Sequence, residues 1–312
     1  MLAEEEGVEV IAFREGGQLS AARGVRAGRY RAVIHGLGGR VSLPATYAAA
    51  RRARIPFVLW ASVWTHPRTP AHLLSRLPTR HLYRHADAVV TYGPHVTRYV
   101  ERIRGGRGNV FEAPQAVSAQ QFGAHVTPRP LSDGFVLLFV GRLEREKGVE
   151  ILLEAWQLAN LGESASLALA GEGRIQPQGK NILTLGHVRR EELPALYAGA
   201  DALVLPSIRT ATFLEPWGLV VNEAMHQGTP VIASDAVGAV AGGLVRDGRN
   251  GLVVPGGDAR ALAARIQALA ADQALRERLG AAARQDVEDF SEAAWVAGMR
   301  QALHAVGAGR ER

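Results

Sequence analysis

The sequence contains no cysteine. That excludes a disulfide scaffold, a cysteine nucleophile and thiolate metal sites. It contains no run of about 18 apolar residues, so no segment reads as a membrane-spanning helix. Lysine is absent from residues 1–130, where 18 arginines face 8 acids for a net of +10. Residues 131–312 reverse the balance, with 18 Lys plus Arg against 22 acids, a net of −4. Two halves with different partners are implied, the first suited to anions. The opening residues MLAEEEGVEV are acidic and then strand-like, which is not a secretory signal pattern, and a cytoplasmic location is expected. What is present is a folding composition, 47% hydrophobic against 21% charged. At 312 residues the chain is long for one core and comfortable for two of roughly 150 residues.

Strand-like and helix-like segments alternate throughout. In the second half, 135–143, 166–173, 181–188, 201–207, 229–235 and 251–255 read as strands. The run FVLLFV is continuously apolar, as a strand buried on both faces must be. Segments 148–160, 191–200, 219–228, 259–272 and 275–287 have helical spacing. The first half repeats the rhythm, with strands expected at 7–13, 30–36, 55–61, 87–93 and 109–115, and helices at 42–54, 72–86 and 94–104. Such alternation predicts parallel sheets covered on both faces. Segment 118–134 carries two Pro and two Gly without periodicity and reads as the linker. The expected fold class is therefore α/β, with two doubly wound, Rossmann-like parallel-sheet domains in series. Their expected bounds are 1–130 and 131–290, followed by a helix over 291–312.

Ligands of open α/β sheets sit outside the carboxyl ends of the strands, so the turns there are the informative ones. GRLEREKG follows the strand at 135–140 and offers Gly141, Arg142 and Lys147. Glu215, Gly218, Leu219, Val220 and Glu223 follow the strand at 201–207. A helix starting at Gly218 would present unpaired amides of 218–220 and a partial positive charge to an anion. Arg142 and Lys147 could neutralise the same phosphates, one as a planar fork and one as a point charge. The two oxygens of Glu223 match the adjacent hydroxyls of a ribose. Taken alone, Arg142 with Lys147 is also what a solvated loop offers, and Glu223 could be an exposed helix carboxylate.

The ordered set VGRLEREKG, LAGEG, LGHV, LYAGADALVLPS, EPWGLVVNEAMHQGTPVIAS and DGRNGLVVPGGD resembles the family 4 glycosyltransferases of GT-B fold. The likeness covers about residues 135–290. It implies two domains facing across a cleft, with the final helix crossing back to the first. It also implies retaining transfer of a hexosyl or related sugar from a nucleotide diphosphate sugar, with neither a metal nor a separate cofactor. By the same resemblance Arg142 and Lys147 fall on the diphosphate, Glu215 on the donor sugar and Glu223 on the ribose. The amides of Gly218, Leu219 and Val220 fall on phosphate oxygens, beside Gly141, and His187 with Val188 on the base. Trp217 replaces the family's usual Phe.

Two departures accompany the resemblance. LAEEEGVEVIAF reads as the end of the family's first helix followed by its second strand, so the first strand and its Gly-rich loop are expected to be missing. The family also often places a His near the donor sugar after the strand that matches 55–61; Ser62 holds about that register, and His66, four residues on, is the candidate. The basic first half has three readings: an anionic or lipid-linked acceptor, a membrane surface met by Arg68, Arg76, Arg80 and Arg84, or simple arginine richness. A sugar or small-molecule acceptor also fits the family. Peripheral contact with the cytoplasmic face of a membrane is thus one expectation. Nucleic acid is not, because the arginines match no recognised module. The competing reading is a non-catalytic nucleotide-sugar-binding protein. An epimerase or phosphorylase of the same fold is opposed by the pairing of GRLEREKG with EPWGLVVNE.

Overall fold

The computed structural model describes residues 17–309 except 18, 29, 40 and 67–69, with the backbone alone over 70–74. The expected strand at 7–13 and Arg68 lie outside the described residues. Ten strands are described: β1 Val33–Gly36, β2 Phe57–Ala61, β3 Ala88–Thr91, β4 Val110–Glu112, β5 Phe135–Val140, β6 Ala165–Ala170, β7 Ile182–Gly186, β8 Ala202–Leu205, β9 Val231–Ser234 and β10 Gly251–Val254. They form two all-parallel sheets, ordered β1-β2-β3-β4 and β10-β9-β8-β5-β6-β7. Both halves are parallel-sheet α/β; the second sheet is doubly wound, while the described strands of the first run in chain order without a reversal. Among the described residues the outer edge of β1 has no strand partner.

Side chains alternate across β5 with the two-residue period of a strand. Val136, Leu138 and Val140 enter one core, with Leu196, Tyr197, Val221 and Met225 from helices Leu193–Ala198 and Leu219–His226. Phe135, Leu137 and Phe139 enter the other, with Leu152, Trp156, Leu262 and Ile266 from helices Val149–Ala159 and Ala259–Ala271. Both faces are covered, which is why the strand reads as an unbroken apolar run.

The chain crosses between the halves twice. Segment 118–134 is not a free linker: it contains the helix Ala119–Phe122, and Phe122, like Val117 before it, is buried in the core of the second half. The segment's Pro and Gly hide one aromatic whose burial anchors it. The return crossing precedes helix Glu292–Ala305, capped by Ser291 Oγ, which accepts from the Ala294 amide at 3.3 Å. Trp295, Met299 and Ala302 of this helix join Val58, Ala88 and Val90 of the first sheet in one cluster. Its Gly298 lies flush on the chain, since a Cβ there would stand 2.0 Å from the Glu112 carbonyl oxygen.

Candidate functional site

The order of the second sheet reverses beside β5: β6 and β8 both follow it in the chain and lie on opposite sides of it. A crevice opens outside the carboxyl ends at such a point. The turn 141–148 after β5 and the loop 206–218 after β8 flank it. They are held tightly together. Gly148 has φ +74°, and a Cβ there would meet the Pro206 carbonyl oxygen at 1.9 Å. The Ile208 amide donates to the Glu146 carbonyl at 3.0 Å.

That approach brings Lys147 to Glu215. Lys147 Nζ donates to Glu215 Oε2 at 2.5 Å, and Ser207 Oγ donates to the same oxygen at 3.0 Å. Both side chains are largely shielded, 16% and 8% exposed. Lys147 Nζ also stands 5.3 Å from the Phe213 ring centroid. Glu215 Oε1 has no hydrogen-bond partner among the described residues. Ser234 Oγ at the end of β9 donates to the Ser207 carbonyl, so the neighbouring strand braces this arrangement.

Helix Leu219–His226 starts at Gly218, in the left-handed region with φ +93° and without a side-chain cap. A Cβ on Gly218 would press to 2.5 Å from Leu205 Cδ2, so the position requires glycine. Leu219 and Val220 follow as the open first turn. Glu223, buried on this helix, accepts from Tyr197 Oη at 2.6 Å through Oε2. Burial raises its pKa, which the Tyr197 hydrogen bond partly counters.

The remaining candidates are less concentrated. Arg142 turns outward, with Nη2 3.0 Å from Glu146 Oε1 and its side chain 60% exposed. Gly141 sits where β5 ends, its amide donating to the Ala170 carbonyl at 3.0 Å. His187 is exposed beyond the edge strand β7, and Val188 packs partly on the core. His66 is brought to the site from the first half. With Ser62 and Trp64 it lines a cavity of about 520 Å³, whose other wall includes Arg209, Phe213 and Pro216.

Two residues that the sequence did not single out reach the same loop. Trp64 Nε1 donates to the Glu215 carbonyl and His95 Nε2 to the Pro216 carbonyl, each at 3.4 Å. His95 lies between Trp64 and Trp217, with centroids 5.1 and 6.0 Å away. Trp217 in turn donates from Nε1 to Asn222 Oδ1 at 2.7 Å, and Asn222 Nδ2 donates to the Gln115 carbonyl at 3.0 Å. An aromatic in a turn after a strand was the available signal for Trp64. A His behind Gly-Pro at a helix start carries none.

Burial lowers the His95 pKa to about 4, with the Pro216 hydrogen bond opposing and Arg98 adding. The folded protein thus binds this proton less readily than the unfolded chain. Its contribution to stability is full above the ordinary value of 6.5 and is lost as pH falls from there to about 4. The expected loss is about 3 kcal/mol. A His95→Phe variant should show a shallower fall in melting temperature than the parent between neutral and acid pH; parallel curves would contradict a buried neutral His95.

Residues 127–286 match the family model described as glycosyl transferases group 1. The chain is 32% identical over 216 residues to a glycogen synthase of Mycobacterium tuberculosis, covering 65% of this chain and 50% of that protein. It is 36% identical over 166 residues to a phosphatidyl-myo-inositol mannosyltransferase of Mycobacterium leprae, covering 50% and 43%. The chain thus spans about half the length of the curated relatives it matches. Among solved structures, sucrose-phosphate synthase from Thermosynechococcus elongatus aligns with a TM-score of 0.72 at 25% identity, over 90% of this chain and 75% of that one. Anabaena HepE in complex with UDP and glucose aligns with a TM-score of 0.74 at 20% identity, over 95% and 83%, a likeness of fold.

Proposed function

The chain belongs to the group 1 glycosyltransferases, whose model matches residues 127–286, and we propose that it transfers a sugar from a nucleotide diphosphate sugar to an acceptor with retention and without a metal. The observation that carries this reading is the shielded Lys147–Glu215 pair at the crevice, beside an uncapped helix N-terminus. As the glycosidic bond to the diphosphate breaks, negative charge grows on the leaving phosphate. Lys147 and the open amides of Leu219 and Val220 meet that charge without reorganising. Arg142 is held only by an exposed ion pair, a contact worth about 0–1 kcal/mol, so it can exchange Glu146 for a phosphate at small cost.

Glu215 Oε1 is the acceptor for a hydroxyl of the donor sugar, and its Oε2 contacts hold it oriented. Glu223 Oε1 takes a ribose hydroxyl while Tyr197 occupies Oε2. His187 and Val188 flank the base. The cavity between Trp64 and Phe213 houses the acceptor, with His66 on its wall. A UDP complex of the similarly folded HepE makes UDP the first probe.

The test is turnover of a panel of nucleotide sugars by the purified chain, with the anomeric configuration of the product read by NMR. Glu223→Ala should weaken UDP binding, measured calorimetrically, by roughly tenfold to a hundredfold, as for a lost hydrogen bond to a charged group. Binding without turnover of any donor would leave a nucleotide-sugar-binding protein. Unchanged UDP affinity in Glu223→Ala would remove Glu223 from the nucleotide site.

A further inference from the structure

Helix Pro70–His85 packs Leu82 and Tyr83 inward and turns a basic face to solvent. At 100° per residue, Leu77, His81 and Arg84 share the middle of that face, with Arg80 and Arg76 along one flank. Leu77 is 76% exposed, far more than any other exposed large apolar side chain among the described residues. Neighbouring elements add cations. Arg51 donates to the His85 carbonyl, and Arg107 Nη1 lies 3.5 Å from His85 Nδ1. The His81 and His85 rings lie 4.3 Å apart. Acids are scarce here. None occurs in the sequence between Glu15 and Asp87, and Asp87 is occupied by Arg51 at 3.1 Å.

We propose that this face docks the chain on an anionic phospholipid surface, with Leu77 entering the headgroup layer and Arg76, Arg80 and Arg84 meeting lipid phosphates. A soluble polyanion would use the arginines but would gain nothing from an apolar side chain standing at their centre. A bilayer surface uses both, through Coulomb attraction to the anionic headgroups and burial of the leucine beneath them. No described helix is long and apolar enough to cross a membrane, so the contact is with the surface. The site chemistry described above is not needed for this inference.

The experiment is co-sedimentation of the full chain with phosphatidylcholine vesicles, with and without phosphatidylglycerol. The chain should pellet with the anionic vesicles, stay in solution with the neutral ones, and be released as salt is raised. Leu77→Ser, and separately Arg80→Gln with Arg84→Gln, should each weaken vesicle binding about tenfold or more, with UDP binding unchanged. The proposal is overturned by equal binding to both vesicle types or by full binding of folded Leu77→Ser. Capture by heparin or duplex DNA with no vesicle binding overturns it equally. Melting temperatures show whether each variant is folded. If one is not, the lipid and salt dependence of the parent chain decides.

Discussion

Replacing Lys147 by alanine is expected to lower sugar transfer about a hundredfold to a thousandfold, the usual effect of deleting one preorganised group that stabilises developing charge. The loss should fall on kcat, because the leaving diphosphate gains its charge only in the transition state. The same change should also destabilise the fold. Glu215 is 8% exposed, and without Lys147 its carboxylate is a shielded charge held only by Ser207. Breaking such a pair from one side costs about 3–5 kcal/mol. The double replacement Lys147→Met with Glu215→Gln separates the two effects. Its melting temperature should recover most of the loss, since no unpaired charge is left, while its activity should not. Activity within about threefold of the parent in Lys147→Ala would remove Lys147 from the chemistry, given the size of loss expected.

The second large effect belongs to Arg104, the buried last residue of helix Pro94–Arg104. Among the described residues its guanidinium hydrogen-bonds to no carboxylate. Nη1 donates to the Tyr83 and Ala86 carbonyls at 2.6 and 3.2 Å, Nη2 to Gly108 at 2.7 Å, and Nε to Arg107 at 3.0 Å. The side chain thus caps the end of one helix and ties it to the loop that leads into β4. Burial lowers its pKa, followed by the nearby Arg107. Arg104→Met should cost about 3 kcal/mol, because the stranded carbonyls lose a charged donor and cannot all reach water. The melting temperature should fall by about 6–12 °C. Arg104→Lys should recover little of it, because an ammonium cannot span the same fork. A fall under about 2 °C in the methionine variant would show that the carbonyls find other donors.

The strands of the second sheet are legible in the sequence because double-sided burial forces unbroken apolar runs such as FVLLFV and LALA. The meeting of Lys147 and Glu215 is encoded differently. They stand 68 positions apart, and no periodicity links them. They meet because β5 and β8 are neighbours and because Gly148 lets the turn close on Pro206. Strand order is a property of packing, so the sequence shows the two loops without showing the contact. Trp64 and His95 are harder still. Their partners are the backbone carbonyls of Glu215 and Pro216, and a carbonyl leaves no trace in side-chain pattern. Arg142 shows the opposite limit: its place in the motif is plain, while its exposed pairing with Glu146 depends on a rotamer that the sequence does not fix.

Helix Glu292–Ala305 also bears on the order in which the molecule is made. Its Trp295 and Met299 complete the cover of Val58, Ala88 and Val90, yet they leave the ribosome only after the whole second half. The first sheet therefore spends most of synthesis with one apolar face uncovered. Folding of the two halves cannot be strictly sequential, because the half begun first is finished last. The flush seat of Gly298 on Glu112 acts as a late latch, which a side chain at 298 would hold open.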